Sequence, residues 1–330
     1  MLQLDHVSAR YNMLKYYVNA VNDVNFTIND NEIFGIAGES GCGKSTLLKV
    51  IYDLLEYPLE ISSGKVSLVS NKTGKIYTTG NIRSTWWKEI SYVPQGAQHV
   101  MNPVKKVETQ FFDAIGKDSV KKMDKAQMRE RIIRYFHELG LSTDVLSAYP
   151  HQLSGGMKQR VLIALATFLS PSIILADEPT TALDVVVQKD ILLMLMDVQR
   201  KVNNSIVIVS HDMGVHYQIT NRMAIMYAGE VIEIGKTDEI FNRPKHPYTQ
   251  MLIGALPKVG DSSQKEGIPG TPPSLVNLPE GCRFAERCKY ATASCRRAAP
   301  AVTEVEPGHF VKCVRVMYRF RDERAMCTEF

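Results

Sequence analysis

The sequence lacks the features that carry a chain into or across a membrane. Its first six residues, Met-Leu-Gln-Leu-Asp-His, have neither the basic start nor the apolar core of a signal peptide. The most apolar stretch, residues 161–176, is interrupted by Ser170, Pro171 and Ser172, and an interrupted stretch of this kind does not suit a membrane-spanning helix. We therefore expect a chain that neither enters nor crosses a membrane on its own.

The sequence also has a small net charge and few cysteines. The formal net charge is only +4 over 330 residues, and acidic residues are interspersed among the basic ones. Since nucleic-acid binders usually concentrate positive charge in a patch, we expect no nucleic-acid partner. The six cysteines, without an export signal, indicate reduced thiols or metal ligands and not a disulfide framework.

The overall composition, 45% hydrophobic and 22% charged, is typical of a globular protein. The length suits one large domain with a smaller one, or two ordinary domains. Alternating apolar residues in 2–7 and 24–28 predict antiparallel strands. Continuous apolar runs in 33–37, 173–176 and 205–209 predict buried strands with polar residues at their carboxyl ends, where α/β sheets bind ligands.

Two further regions differ from this strand pattern. Residues 105–168 have helical spacing, including 125–139, and predict a helical insertion. From about residue 241 the density of proline rises, and this composition predicts neither regular helix nor central strand.

A glycine-rich loop follows the predicted strand 33–37. It comprises Gly38, Glu39, Ser40, Gly41, Cys42, Gly43, Lys44, Ser45 and Thr46. Glycine allows successive backbone N–H groups to face the phosphates of a nucleotide, and a helix beginning near Lys44 would add the positive end of its dipole. We predict that Lys44 binds the β- and γ-phosphates and that Ser45 binds Mg²⁺. Cys42 is interpreted as a small space-filling residue.

Two acids, Asp177 and Glu178, end the predicted strand at 173–176. Asp177 is placed to bind Mg²⁺ through water, and Glu178 to orient a water molecule for attack on phosphorus. On their own the two acids are equally compatible with a solvated loop. With Lys44 and Ser45 they complete the prediction of one nucleotide-hydrolysing site.

The segment Leu-Ser-Gly-Gly-Met-Lys-Gln-Arg at 153–160 resembles the signature motif of the ABC ATPase family. Ser154, Gly155 and Gly156 at a helix start form a second surface suited to an anion. The resemblance implies an α/β fold: an ABC-type P-loop nucleotide-binding domain with a RecA-like core, an antiparallel β subdomain and a helical subdomain. It also implies that two cassettes meet head to tail, so that the Ser154 region of one closes over nucleotide bound by Lys44 of the other.

Further positions match the family one at a time. Gln95 resembles the glutamine that senses magnesium and the membrane subunits, and Asp184 lies in the segment that resembles the loop linking the two sites. His211 resembles the histidine that contacts the γ-phosphate and holds the attacking water. Tyr11 aligns with the aromatic residue that stacks on adenine, with Tyr16 and Tyr17 as competitors.

The resemblance extends to the ATPases of dipeptide and oligopeptide importers. It rests on residues 177–185, on Met-Tyr-Ala-Gly at 226–229, on His-Pro-Tyr-Thr at 246–249 and on a C-terminal segment containing Cys282, Cys288, Cys295 and Cys313. In some members such cysteines hold an iron–sulfur cluster. This chain departs from the family where Gly96 and Ala97 follow Gln95, and where Val314 follows Cys313.

The ligand of the cysteines stays open between a [4Fe–4S] cluster, zinc and no ligand. Four thiolates suit either metal group. The spacing of Cys282, Cys288 and Cys295 exceeds that of common structural zinc sites and mildly favours the cluster, and nearby arginines and lysine would offset its charge. Unliganded buried cysteines are the third alternative. Cys327 has no evident partner in this scheme.

The sequence therefore predicts an ATP- and Mg²⁺-dependent ATPase subunit of an importer for peptides or related solutes such as oligosaccharides. We expect a nucleotide-binding domain at 1–250, with its helical part at about 97–168, and a cysteine-containing domain at 251–330. The expected partners are two polytopic permease subunits, a second and different ATPase subunit, and indirectly an extracytoplasmic solute-binding protein. The expected location is the cytoplasmic face of the membrane.

Rival interpretations are a soluble ABC ATPase of DNA repair or translation and an exporter cassette. The segment between Gly43 and Ser154 lacks the sustained heptads of repair ATPases, and the chain has one cassette where translation factors usually have two.

Overall fold

The computed structural model describes residues 1–96, 100–115, 124–257 and 267–316, which form two compact units. The first unit contains Met1–Leu2, Ile28–Ile33 and the described part of Ser67–Val209, and the second contains Gln3–Thr27, Phe34–Val66 and the described part of Ser210–Phe330. Among the described residues, no helix combines the length and apolarity needed to cross a membrane.

The strands and helices are numbered in chain order. The strands are β1 (Leu2–Asn12), β2 (Tyr17–Ile28), β3 (Ile33–Ala37), β4 (Leu59–Val69), β5 (Ile76–Thr78), β6 (Ile90–Val93), β7 (Ile173–Asp177), β8 (Ser205–Val209), β9 (Arg222–Tyr227), β10 (Glu230–Lys236), β11 (Val302–Glu306) and β12 (His309–Lys312). The helices are α1 (Lys44–Ile51), α2 (Val107–Ile115), α3 (Lys125–Glu138), α4 (Gly155–Thr167), α5 (Val185–Val202), α6 (Met213–Ile219), α7 (Thr237–Asn242), α8 (Pro247–Gly254) and α9 (Ala293–Arg297).

The first unit is organised around the parallel strands β6, β7 and β8. Ile90 of β6 pairs with Ile173 of β7, which in turn pairs with Ser205 of β8, and the pairing continues to the carboxyl ends. Every residue of β7 and β8 is buried. Strands covered on both faces require continuous apolar runs, which is why these segments do not alternate. The polar residues that follow β6 and β7 therefore lie at one edge of this sheet.

The helices α2 and α3 of the first unit pack through aromatic rings. Phe111 of α2 meets Phe136 of α3 edge to face, with ring centroids 5.4 Å apart, and also meets Phe168 at 5.5 Å. All three side chains are buried. Edge-to-face packing of this kind adds to the free energy gained by burying the rings.

The second unit contains a sheet with the strand order β11, β12, β10, β9 and β3. Its strands pair antiparallel except β3 and β9, which are parallel. Strands β2, β1 and β4 lie side by side in a separate sheet. The end of β4 belongs to the first unit, where Ser67 to Val69 pair antiparallel with β5.

The core of the second unit brings the C-terminal segment against β9. The rings of Tyr227, Tyr248 and Phe284 are buried, and their centroids lie 4.7 to 5.4 Å apart. Ile225 and Ile253 belong to the same apolar cluster. Residues around 284 are therefore held by the same core as β3, the strand that precedes the glycine-rich loop.

The structure confirms the predicted strands and the helices beginning near residues 44 and 125. The expectation of no regular helix after residue 241 was wrong, because α8 runs through Pro247–Gly254. Its proline occupies the first turn, where the missing N–H would have no helical partner, and His246 caps the helix by accepting the Tyr248 N–H.

Candidate functional site

The glycine-rich loop joins β3 to α1 in the second unit. Gly38 and Gly43 have φ angles of 153° and 106°. A Cβ atom at Gly38 would lie 2.1 Å from the Met226 carbonyl oxygen, and one at Gly43 would lie 2.0 Å from the Ala20 carbonyl oxygen. Only glycine fits at both positions, so β2 and β9 impose this composition on the loop.

Lys44 is buried and folds back onto the loop that precedes it. Its ammonium group donates to the carbonyl oxygens of Gly38 and Glu39, at 2.8 and 2.9 Å. The adjacent Cys42 is buried as well, and burial raises the pKa of its thiol. Cys42 is thus held as a neutral group that fills space, which supports its interpretation as a packing residue.

Tyr11, near the end of β1, contacts the first turn of α1. Its hydroxyl group is 3.0 Å from the Thr46 hydroxyl group. The ring of the competing Tyr17 is covered by the Arg10 guanidinium group, 3.8 Å from the ring centroid, and Tyr16 is exposed. Of the three tyrosines, Tyr11 is thus the one shown in contact with a residue of the glycine-rich loop.

Asp177 and Glu178 lie at the carboxyl end of β7 in the first unit. The buried Asp177 carboxylate accepts a hydrogen bond from the Tyr92 hydroxyl group at 2.8 Å. Glu178 adopts a left-handed conformation with φ of 49°, its N–H donates to the Val209 carbonyl oxygen, and its Oε2 accepts from the Thr181 hydroxyl group at 2.9 Å. A left-handed non-glycine residue is strained, and such strain concentrates at functional sites.

Sequence reasoning missed Tyr92 and Thr181 as partners of these acids. The signal for Tyr92 is its place in β6, directly beside Leu175 of β7. Gln95 follows β6 and is exposed at the same sheet edge as Asp177. Gln95 and Asp177 therefore lie at the carboxyl ends of neighbouring parallel strands of the first unit.

The signature-like segment begins α4. Ser154 is exposed and accepts a hydrogen bond from the Met157 N–H at 3.3 Å, so it is the N-cap of this helix. A Cβ atom at Gly156 would lie 2.6 Å from Cγ1 of Val187 in α5. Glycine here lets the starts of α4 and α5 approach closely. Asp184 caps α5 by accepting from the Val187 N–H at 2.9 Å.

His211 follows β8 and is exposed in the second unit. Asp212, next to it, caps α6 by accepting the Gly214 N–H at 2.8 Å. The buried His216 is a different case, because its Nε2 lies 3.1 Å from the Ser210 carbonyl oxygen. His211 is thus exposed just beyond a strand end, whereas His216 is buried.

The four C-terminal cysteines line one cavity of about 300 Å³ in the second unit. They share its wall with apolar side chains. Burial raises the pKa of the Cys282 thiol to about 11, opposed by a hydrogen bond from the Phe284 N–H. Within the described ranges, no group of three or more His, Cys, Asp and Glu side chains is arranged to hold a metal ion. Cys327 lies outside the described residues.

Comparisons with known proteins identify the family of the chain. Residues 21–181 match the family model described as ABC transporter, and residues 232–295 match the oligopeptide/dipeptide transporter C-terminal region. The chain is 39% identical to the dipeptide transport ATP-binding protein DppD of Bacillus subtilis, covering 90% of this chain and 89% of the relative. It is 36% identical to the oligopeptide transport ATP-binding protein OppD of the same organism, covering 89% of this chain and 83% of the relative.

A solved structure supports the same assignment. The ATP-binding cassette MJ0796 in a post-hydrolysis state with ADP and Pi is similar with a TM-score of 0.60 and 28% identity, covering 72% of this chain and 99% of that one. The predicted fold class is thereby confirmed. The chain belongs to the ATP-binding subunits of ABC transporters, in the dipeptide/oligopeptide importer family.

Proposed function

We propose that the chain powers the import of peptides, or of related solutes such as oligosaccharides, by hydrolysing ATP. The observation that carries this proposal is the match of residues 232–295 to the C-terminal region of oligopeptide and dipeptide transporters. The same chain has the glycine-rich loop at residues 38–46, which is called the phosphate loop below. The names of the relatives support peptides as the cargo. The alternative, a soluble ABC ATPase of DNA repair or translation, gains no support from them.

The phosphate loop would bind the polyphosphate of ATP. The glycines let the loop pack against the backbone of β9 and β2, because a Cβ atom at Gly38 or Gly43 would clash there. In that conformation the backbone N–H groups of the loop would bind the phosphates. Lys44 would exchange its loop carbonyl partners for the β- and γ-phosphates, and the Tyr11 ring would stack on adenine. Other loop positions, Ser40, Gly41, Cys42 and Thr46, would line the phosphates.

The oxygen donors of Ser45, Gln95 and Asp177 suit Mg²⁺, a cation that prefers oxygen ligands. The ion would offset the charge of the phosphates. Tyr92 supports this role, since its hydroxyl group orients the Asp177 carboxylate.

Glu178 and His211 would act on the attacking water. Glu178 would accept a proton as the water oxygen attacks the γ-phosphorus in line, and the bond to the bridging oxygen would break to give ADP and phosphate. Thr181 donates a hydrogen bond to Oε2 of Glu178 and so orients the carboxylate toward its proposed role. His211 would contact the γ-phosphate and hold the water in place.

A second cassette would complete the catalytic unit. Ser154 offers an anion surface at the start of α4, with Gly155 and Gly156 behind it. Around it the apolar side chains of Met157, Val185 and Val186 are 40%, 83% and 72% exposed. Apolar exposure beside a capped helix start is typical of a protein interface. We infer that this face, including Asp184, meets a second and different ATPase subunit.

The remaining expected partners are two polytopic permease subunits, which the chain would contact from the cytoplasmic face of the membrane, with a solute-binding protein acting indirectly. A tagged copy of the chain, expressed in its own cells and purified from detergent-solubilised membranes, should co-purify with both permeases and a second ATPase. Mass spectrometry would identify them. Recovery with ribosomes or DNA in place of membrane proteins would contradict the proposal.

We also propose a domain division for the chain. Residues 1–250 would form the nucleotide-binding domain, with the helical part at about 97–168 containing α2, α3 and α4. Residues 251–330 would form the C-terminal domain of the importer type. The family matches at 21–181 and 232–295 support two functional regions.

We propose that Cys282, Cys288, Cys295 and Cys313 hold a [4Fe–4S] cluster, with zinc as the alternative. The four thiols line one cavity that exceeds the needs of a single ion. Burial raises the pKa of Cys288 and Cys313, and backbone N–H groups that bond to their sulfurs oppose that shift. Such N–H groups stabilise thiolates that carry a cluster. Bound there, the cluster would cross-link the C-terminal segment.

Anaerobic purification should yield about four iron and four sulfide per chain. Iron, acid-labile sulfide and zinc are measured together. Cys288→Ser should lose most of the iron, whereas Cys327→Ser, the control outside the four-cysteine set, should keep it. Stoichiometric zinc without sulfide would favour a zinc site. Absence of both metals would show that the cysteines only fill space.

A further inference from the structure

The phosphate loop is held by the C-terminal segment through an ion pair. Arg287 donates from Nη1 to Oε2 and from Nη2 to Oε1 of Glu39, each at 2.9 Å. The two side chains are 5% and 24% exposed. A partly buried two-bond pair between a guanidinium and a carboxylate fixes direction as well as distance. Glu39 is the second residue of the glycine-rich loop, so this contact acts on the loop itself.

Arg287 is fixed by further contacts within the second unit. Its Nε donates to the Pro269 carbonyl oxygen at 2.8 Å, Nη2 also donates to that of Ile268 at 3.2 Å, and Nη1 to the Tyr227 hydroxyl group at 3.2 Å. These bonds and the two to Glu39 account for the five N–H donors of a guanidinium group. Arg287 is therefore a rigid anchor and not a mobile surface charge.

The backbone of Glu39 is held from the same side. Its N–H donates to the Tyr248 hydroxyl group at 3.1 Å, and Tyr248 is fully buried against Tyr227 and Phe284. The Glu39 carbonyl oxygen accepts from the Lys44 ammonium group at 2.9 Å. A displacement of Glu39 would therefore move the carbonyl group that orients Lys44.

We propose that Arg287 is a positioning residue for ATP binding: it holds Glu39, and through Glu39 the phosphate loop, in the conformation that receives phosphate. The proposal rests on the ATP site proposed above. Arg287 also neutralises a carboxylate located in the loop that binds the polyphosphate. Without the guanidinium group, Glu39 would be an unpaired, partly buried anion that repels the ligand.

Arg287→Met should weaken binding of Mg-ATP by about tenfold, because a charge-assisted pair is lost and the Glu39 carboxylate is left uncompensated. The dissociation constant is measured by isothermal titration of the full-length chain. Turnover at saturating ATP should stay within about twofold, since no group that touches the reacting atoms has changed. Arg243→Met is the matched control. It removes an arginine that pairs with Glu306 but is 61% exposed, and it should leave ATP binding unchanged.

A second substitution separates positioning from general damage. Glu39→Gln alone should weaken ATP binding by less than about threefold, because the amide oxygen still accepts one N–H and no anion is left unpaired. Glu39→Gln combined with Arg287→Met should bind ATP more tightly than Arg287→Met alone. A purely structural role of Arg287 would not produce this rescue. Additive losses in the double variant would overturn the proposal.

Arg287→Lys provides a test that does not depend on the folding of Arg287→Met. The lysine ammonium group would make one hydrogen bond to Glu39 where the guanidinium group makes two. ATP binding should therefore weaken by about threefold. An unchanged dissociation constant in both arginine variants would overturn the inference. Lys44→Ala, measured alongside, should lose ATP binding and turnover. If Lys44→Ala were fully active, the proposed ATP site itself would be wrong, and the inference would fall with it.

Discussion

Replacing Glu178 with glutamine should reduce ATP turnover by about 100-fold or more, while ATP stays bound. Glutamine has nearly the same shape, and its amide oxygen can still accept the hydrogen bond that Thr181 donates at 2.9 Å. The amide cannot take a proton from the attacking water. The substitution should therefore impair hydrolysis without impairing ATP binding. Phosphate release measures turnover, and nucleotide retained after rapid gel filtration measures binding.

Glu89→Gln is the matched control for this substitution. Glu89 is also buried in the first unit, and its carboxylate accepts a hydrogen bond from the Ser172 hydroxyl group at 2.6 Å, just before the opposite end of β7. Its amide variant should keep turnover within about twofold, because that end of a parallel strand carries no ligand groups. Undiminished hydrolysis by Glu178→Gln would remove Glu178 from its role as the catalytic carboxylate.

The local parts of the site could be predicted from sequence because their causes are local. A continuous apolar run makes β7 a buried strand, and its end fixes where Asp177 and Glu178 lie. The loop between β3 and α1 is indicated directly by its glycines, among them Gly38 and Gly43. The start of α4 is signalled by Ser154 as an N-cap residue.

The contacts between distant segments could not be predicted in the same way. Glu39 and Arg287 are separated by 248 positions, and no periodicity or propensity relates them. The same holds for Tyr248 at the Glu39 N–H. The helix α8 was missed for a different reason. Proline was interpreted only as a helix breaker, although Pro247 at the first helical position, after a capping His246, starts one.

Gly43→Ala should abolish measurable ATP binding and lower the free energy of unfolding by about 2–4 kcal/mol. The added Cβ would lie 2.0 Å from the Ala20 carbonyl oxygen, at a φ angle of 106° that alanine avoids. Either β2 or the loop must shift. Because the Gly43 carbonyl oxygen accepts the hydrogen bond of Leu47 in α1, a shift moves the helix start that carries Lys44 and Ser45.

Gly80→Ala separates backbone strain from this collision. Gly80 also has a positive φ, of 88°, but a Cβ atom there would meet no heavy atom within 4 Å. The change should cost only about 1 kcal/mol and leave ATP binding intact. Urea unfolding and isothermal titration with Mg-ATP measure both variants. Equal losses of stability in the two, or ATP binding retained by Gly43→Ala, would contradict the view that the Ala20 carbonyl group dictates glycine at this position. The larger loss at Gly43 is expected because strain and collision act there together, on the N-cap residue of α1.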